Sequence, residues 1–412
     1  MTRRVVITGM GAACPIGHSV AEMIEGLRAG RSGVRYMQEW DFVSDLQGRL
    51  GGNVDGLDLE KRYPRKKRRT MGRVSLLATY ATEEAVAQAQ LGPEVIESGR
   101  CGLAYGSTSP SNQAMEDFCG RLFTEHTMKG LDGTAYLKFM THTAAANLAQ
   151  YFNVRGRIIP VNSACTTSTQ AIGYAYESIR AGLQDAMICG GSEEQHYATA
   201  VTFDLLMATS VRFNKSPTES PRPFDARRDG LVIAEGAASV VLEAEEHALA
   251  RGATPLAIVA GYGTSCDGRH ITANSREGMR AAMALALDDA KVRPSDIDYV
   301  CAHATATDVG DIEESHATHE LFGRPVPVSS LKGHMGHTLA ACGAIETIAC
   351  VEMIRDGFLA KSHNLEEVDP RCAPLGYVRE LTPARPSLVL TNNFAFGGVN
   401  ASLVLQRWAR AT

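Results

Sequence analysis

Short apolar runs alternate along the chain with stretches of helical periodicity. Val5 to Thr8, Cys101 to Tyr105, Ile158 to Val161 and Ala186 to Cys189 read as strands in the first half. Ala238 to Leu242, Leu256 to Ala260, Tyr299 to Ala302 and Val326 to Ser329 continue the series. Between them, Gln170 to Arg180 and Gly278 to Ala290 carry the spacing of amphipathic helices. The alternation predicts an α/β fold.

The pattern also repeats. Pro160-Val161-Asn162-Ser163 leads through a turn at Cys165 into a helix ending E-S-I-R-A-G at 177 to 182. Pro327-Val328-Ser329-Ser330 leads through the segment around His337 into a helix ending E-M-I-R-D-G at 352 to 357. Both are strand, turn, helix, with a reactive side chain at the junction, and they indicate a duplicated chain. The join falls at the turn Ala250-Arg251-Gly252-Ala253, giving halves 1–252 and 253–412.

Composition narrows the function. A chain of 412 residues with 44% hydrophobic content exceeds the usual single-domain length and can bury a large core. A formal net charge of -5 gives no support to nucleic-acid binding. The absence of an apolar run of membrane-spanning length or of a signal-peptide core points to a soluble, cytoplasmic protein. The ten cysteines are scattered without C-x-x-C pairs, which fits a reducing compartment.

Three residues carry candidate chemistry. Cys165, in V-N-S-A-C-T-T-S-T, sits where a strand passes into a helix, and the helix dipole there favours thiolate and attack on an acyl carbonyl. A buried structural cysteine is the other reading of that residue alone. His303, in C-A-H-A-T-A-T-D, and His337, in L-K-G-H-M-G-H-T-L-A-A-C-G-A-I-E, each follow an apolar stretch and have small neighbours that admit a substrate. His334 and His337 have an i, i+3 spacing that suits zinc, but no third ligand is evident, and no metal is expected.

With these residues in view, the chain resembles the elongating β-ketoacyl-acyl-carrier-protein synthases, relatives of synthase II and of type II polyketide ketosynthases. The likeness runs from R-R-V-V-I-T-G-M-G at 3 to 11, through R-P-F-D-A-R-R-D-G at 222 to 230, to N-N-F-A-F-G-G-V-N-A-S-L-V at 392 to 404. It implies a thiolase-like fold, two βαβ-type halves in a five-layer α-β-α-β-α sandwich. It implies an acyltransferase performing decarboxylative Claisen condensation of a Cys165-bound acyl chain with malonyl-acyl carrier protein.

By motif match, His303 and His337 promote decarboxylation and hold the enolate oxygen. Lys332 is the family's active-site lysine and Glu346 its carboxylate partner. The Cys165 and Phe396 amides form the oxyanion hole, Gly397 and Gly398 permit the close approach, and Phe396 gates the acyl pocket beside Phe203. Thr305 and Thr307, with Thr272 as a further candidate, meet the phosphopantetheine arm of the carrier, so no permanently bound cofactor is implied. Lys66 and Arg69 in the basic run K-R-Y-P-R-K-K-R-R, together with Lys129, dock the acidic carrier protein, and Met207 replaces a usual basic position.

A homodimer, or a heterodimer with a chain-length-factor-like subunit, is expected. The chain departs from the family in reading H-A-T-A-T for H-G-T-G-T, adding methyl groups beside the expected pantetheine tunnel, and N-N-F-A-F-G-G for N-S-F-G-F-G-G, where Ala395 is expected to stiffen the loop carrying Phe396. These departures tilt the expectation from ordinary fatty acids toward a polyketide or polyene-like chain. A thiolase would need a second catalytic cysteine, chalcone-synthase-like enzymes an asparagine for His337, a chain-length factor would lack Cys165, and a thiol redox protein would need a resolving cysteine. A non-catalytic partner or scaffold subunit of a synthase complex remains the alternative.

Overall fold

The computed structural model describes residues 2–272 and 274–410. Five strands of the first half, β1 (Val5–Ala13), β2 (Cys101–Gly106), β3 (Ile158–Val161), β4 (Ala186–Glu193) and β5 (Gly236–Ala244), lie in the order β3-β2-β4-β5-β1. Five strands of the second half, β6 (Ala257–Cys266), β7 (Tyr299–Cys301), β8 (Pro327–Ser329), β9 (Leu388–Ala395) and β10 (Val399–Arg407), lie in the order β8-β7-β9-β10-β6. Third, second, fourth, fifth, first: the order is the same. In each half the first three strands of that order are parallel and the rest antiparallel. The halves meet edge to edge where Val5, Val6 and Ile7 pair with Val259, Ile258 and Ala257.

Helices α1 (Arg73–Ala89) and α2 (Thr143–Phe152) cover the outer face of the first half. Helices α3 (Thr167–Arg180) and α6 (Cys342–Asp356) lie between the halves, while α4 (Arg276–Ala290) and α5 (Asp308–Phe322) cover the outer face of the second. This is the expected five-layer sandwich. The central core joins Ala171, Ile172 and Ala175 of α3 and Ile345, Ile348 and Met353 of α6 to inward residues of both sheets. A helix with sheet on two sides cannot keep a wet face, so α6 is buried from Cys342 to Ile354 and reads as apolar nearly all round.

The duplication is real, but its register differs from the one the motifs suggest. Helices α3 and α6 both follow a tight turn whose first residue has a left-handed backbone, Ala164 with φ 49° and Leu339 with φ 47°. Aligning these turns and the helix ends pairs Cys165 with Ala340. His337 comes instead from a longer connection after β8 that contains the helical turn Lys332–Met335. The second half therefore places its chemistry ahead of the junction, and there the expectation of equivalent positions fails.

Gly191 on β4 lies where the two junctions converge. A Cβ there would stand 2.4 Å from the Ala340 carbonyl oxygen and 3.0 Å from Ser168 Cβ. Gly191→Ala is expected to destabilise the fold by about 1–3 kcal/mol through overpacking, read as a lowered Tm. Gly120→Ala, in a helix with nothing within 4 Å of the new methyl, serves as the control and should not lower it.

Candidate active site

The turn at Cys165 is built by its own hydroxyl residues. Thr166 Oγ1 donates to the Ser163 carbonyl at 2.7 Å, and the Ser163 N–H donates to Thr167 Oγ1 at 3.0 Å. These bonds hold the left-handed Ala164 and aim the Cys165 sulfur at the N-terminal end of α3. Ser168 Oγ accepts from the Ala344 N–H at 2.9 Å, fixing α3 against α6.

The second half brings the histidines to that sulfur. His337 Nε2 lies 3.0 Å from Cys165 Sγ, and the rings of His303 and His337 stand edge to face with centroids 5.2 Å apart. The His337 backbone is pinned on both sides, its N–H to the Val232 carbonyl at 2.7 Å and its carbonyl to the Ala234 N–H at 2.9 Å. Gly336 before it has φ 80° and the Val232 carbonyl close by, a place with no room for a side chain. His303 is held from below by Glu314 of α5, whose carboxylate accepts the N–H groups of His303 at 2.8 Å and Ala304 at 2.6 Å. One turn earlier, Asp311 accepts the N–H of Ala306, which has φ 68°.

Behind the histidines, Lys332 is buried and its Nζ is ion-paired with the buried Glu346 of α6. Burial alone would lower the Lys332 pKa, but the Glu346 charge outweighs it and the ammonium stays protonated. That cation acts outward. Burial, then the Lys332 charge, holds both His303 and His337 well below the ordinary imidazole value, so both are neutral near pH 7. Burial pushes Cys165 up to about 12, against the opposing pull of Lys332 and of its own backbone N–H. The helix-dipole expectation of a resting thiolate is thus outweighed, because a sulfur removed from water gains more as the neutral thiol.

Cys165, His303 and His337 open onto a cavity of about 350 Å³. Phe203 and Phe396 flank it with ring centroids 5.9 Å apart, and Thr272, Thr305 and Thr307 line it, the last two with hydroxyls 3.1 Å apart. Gly397 and Gly398 follow Phe396 with φ 91° and 70°, conformations that explain both glycines. Of the added methyls, only that of Ala304 lines the cavity. Ala306 is buried away from it, correcting the expectation that both methyls of H-A-T-A-T lie beside the tunnel, and Ala395 is buried as well. Met207 is 91% exposed at the mouth beside Leu206.

The basic run folds as two short helical turns, Leu59–Arg62 and Arg65–Arg68, separated by Pro64. Lys66 and Arg69 share a surface depression with Arg65, Arg68, Asp132 and Lys138. Lys129 is exposed in a turn and does not line it. Lys138, on the short helix Ala135–Phe139, does line it.

Sequence reasoning missed Glu314, Asp311 and Asn393. The only signal for the first two was a pair of acids spaced i, i+3 on the helix after H-A-T-A-T. His334 belongs elsewhere: its ring nitrogens lie 3.1 Å from the Arg31 and Lys361 carbonyls, its ring stacks on His363, and it forms no pair with His337. Among the described residues, the one group of three converging donors for a soft cation is Cys165, His303 and His337, the same atoms the chemistry would need.

Comparison with known proteins covers nearly the whole chain. Residues 2–248 match the family profile described as Beta-ketoacyl synthase, N-terminal domain, and residues 256–366 match Beta-ketoacyl synthase, C-terminal domain. The chain is 38% identical over 407 residues to 3-oxoacyl-acyl-carrier-protein synthase 1 of Escherichia coli strain K12, covering 98% of this chain and 99% of the relative. A crystal structure of a beta-ketoacyl synthase from Burkholderia phymatum superposes with a TM-score of 0.95 at 47% identity, covering 99% of this chain and 100% of that one. The AntDE:AntF structure, a type II PKS acyl-carrier protein in complex with its ketosynthase bound to the hexaketide, matches with a TM-score of 0.91 at 29% identity, covering 99% and 100%.

The raised thiol pKa has a kinetic consequence. Iodoacetamide labelling of Cys165 is expected to rise about tenfold per pH unit from roughly pH 6 to 9 with no plateau, because the thiolate remains a small fraction throughout. Removing the cation with its partner, in Lys332→Met/Glu346→Gln, should slow labelling at every pH. A plateau near neutrality in the unmodified protein would show that a thiolate already prevails.

Proposed function

The chain belongs to the β-ketoacyl synthase family and is an acyltransferase, and on that premise we propose that Cys165, His303, His337 and Lys332 perform its chemistry. The reaction is decarboxylative Claisen condensation of an acyl chain with malonyl-acyl carrier protein, in fatty-acid or polyketide elongation. The observation that carries the residue assignment is the convergence of the Cys165 sulfur with two neutral imidazoles at one end of a cavity, backed by a buried ammonium.

In the first step the Cys165 sulfur attacks the thioester carbonyl of acyl-carrier protein. The backbone N–H groups of Cys165 and Phe396 receive the oxyanion, and the phosphopantetheine sulfur leaves with the proton that Cys165 gave up. In the second, malonyl-carrier protein enters and the imidazole N–H groups of His303 and His337 donate to its thioester oxygen. The bond to the carboxylate breaks, carbon dioxide departs, and the electron pair is held as the enolate. Neutral imidazoles suit this work because they stabilise negative charge without carrying a net positive charge of their own. In the third, the enolate carbon attacks the acyl-Cys165 carbonyl, the carbon–sulfur bond breaks, and the thiolate takes a proton from solvent. Thr305, Thr307 and Thr272 line the path of the pantetheine arm, and Phe203 and Phe396 flank the acyl chain.

The basic depression around Lys66, Arg69 and Lys138 docks the carrier protein; the complex of a carrier protein with its ketosynthase in the AntDE:AntF structure supports such docking. A second subunit, another copy or a chain-length-factor-like chain, covers the uncapped edge at β3. That strand pairs only with β2 and leaves Ile158 42% exposed. The halves divide at 252/253. Ten unpaired cysteines support a reducing, cytoplasmic setting, and no helix among the described residues is long and apolar enough to cross a membrane.

Intact-protein mass spectrometry with acyl-carrier protein should show an adduct on the native chain and none on Cys165→Ala. An adduct on the alanine variant would move the nucleophile elsewhere. His303→Ala and His337→Ala are each expected to cut malonyl decarboxylation by about 10²–10³-fold, the value of one oxyanion donor, while acylation of Cys165 continues. Normal condensation in either variant removes that histidine from the mechanism.

Charge reversal in Lys66→Glu/Arg69→Glu should raise KM for carrier-bound substrates far more than for small pantetheine thioesters. The gap should narrow as salt screens the attraction. Equal loss on both substrate types would place the defect in the fold or the tunnel.

A further inference from the structure

Asn393 lies on β9 behind His303, where the resembled motif carries serine. Its side-chain nitrogen stands 2.8 Å from Glu346 Oε2, 3.2 Å from His303 Nδ1 and 3.3 Å from Cys342 Sγ. Its side-chain oxygen accepts from Thr169 Oγ1. The amide has one orientation only. A carboxylate accepts and does not donate, so the NH₂ end must face Glu346, and the Thr169 hydroxyl satisfies the oxygen at the other end. One amide hydrogen goes to Glu346, and the second is left to the His303 ring nitrogen, a stronger acceptor than the Cys342 sulfur, which itself donates to the Cys165 carbonyl.

A nitrogen that receives a hydrogen bond carries no proton of its own, so in neutral His303 the proton must sit on Nε2. We infer that Asn393 is a positioning residue that locks His303 as the Nε2–H tautomer, with Glu346 and Thr169 setting the angle of the amide. Asn393 thus ties the Lys332–Glu346 ion pair to the donor atom of the imidazole. A serine hydroxyl has a single hydrogen and cannot serve the carboxylate and the imidazole together, so the tie between the two needs the amide of this chain's N-N-F-A-F. The inference rests on reading His303 as the enolate donor.

Asn393→Asp tests it with almost no change of volume, because an oxygen facing Nδ1 calls for the opposite tautomer. Asn393→Ala removes the bias altogether. Neutron diffraction on the unaltered protein should show hydrogen on His303 Nε2 and none on Nδ1. Imidazole ¹⁵N shifts, assigned with His303→Ala, should show Nδ1–H in Asn393→Asp and a mixture in Asn393→Ala.

Malonyl decarboxylation should fall about 10- to 100-fold in kcat in both variants, the usual effect of losing an orienting partner, with KM little changed and Cys165 acylation continuing. Hydrogen on Nδ1 in the unaltered protein overturns the inference, and that measurement stands even if a variant fails to fold. An unchanged tautomer and unchanged kcat in folded Asn393→Asp overturn it as well. If His303→Ala itself decarboxylates normally, it is the reading of His303 that fails; if His303→Ala is inactive and Asn393→Asp is not, only the lock fails.

Discussion

The site depends on one buried ion pair. Lys332 and Glu346 are both removed from water, and each ion gives up hydration worth several kcal/mol unless its partner and further hydrogen bonds replace it. Here Glu346 takes the ammonium on one oxygen and the Asn393 amide on the other. The result is a fixed ammonium whose charge is felt by two imidazoles and a thiol. That charge opposes protonation of His303 and His337 and eases ionisation of Cys165. A lysine in that place therefore adds to burial in keeping both imidazoles neutral, while it partly offsets burial at the thiol.

A charge so placed requires a scaffold that does not yield. The duplicated fold supplies it by burying two helices, α3 and α6, between sheets, so that each junction is braced from both sides. Neither half holds the site alone. Cys165 comes from the first, while His303, His337, Lys332 and Phe396 come from the second, and the β1–β6 ladder with the α3–α6 contact fixes their separation. Left-handed backbone occurs at the same spots, in Ala164, Ala306 and Leu339, as it does at several helix ends and loops elsewhere. Side-chain hydrogen bonds hold the first two, from Thr166 and Thr167 at one turn and from Asp311 at the other.

Outside the cavity the chemistry of recognition is different. Lys66, Arg69 and Lys138 present charge in water, where attraction is long-ranged but weak and screened by salt. On the proposed reading such a surface serves encounter with an acidic carrier, and the threonine-lined cavity serves the fit that follows. Leu206 and Met207 leave the mouth of the cavity apolar.

What the sequence determined by itself was periodic or local. Strand runs, helix repeats, the N-S-A-C-T-T turn and the glycines after Phe396 are set by near neighbours, and they are legible because backbone sterics and side-chain caps act over a few residues. The duplication was legible for the same reason. Its register was not, because the extra segment bearing His337 can be recognised only once the two turns overlie.

Glu314, Asp311 and Asn393 look like ordinary polar residues of a helix and a strand until folding carries them beneath His303. Lys138 joins the basic depression because a short helix brings it beside Lys66 and Arg69, and the Cys165 thiol is neutral because burial overrides the dipole that the turn announces. Those outcomes belong to the tertiary structure, since burial and the distances between charges far apart in sequence exist only after the halves have closed on each other.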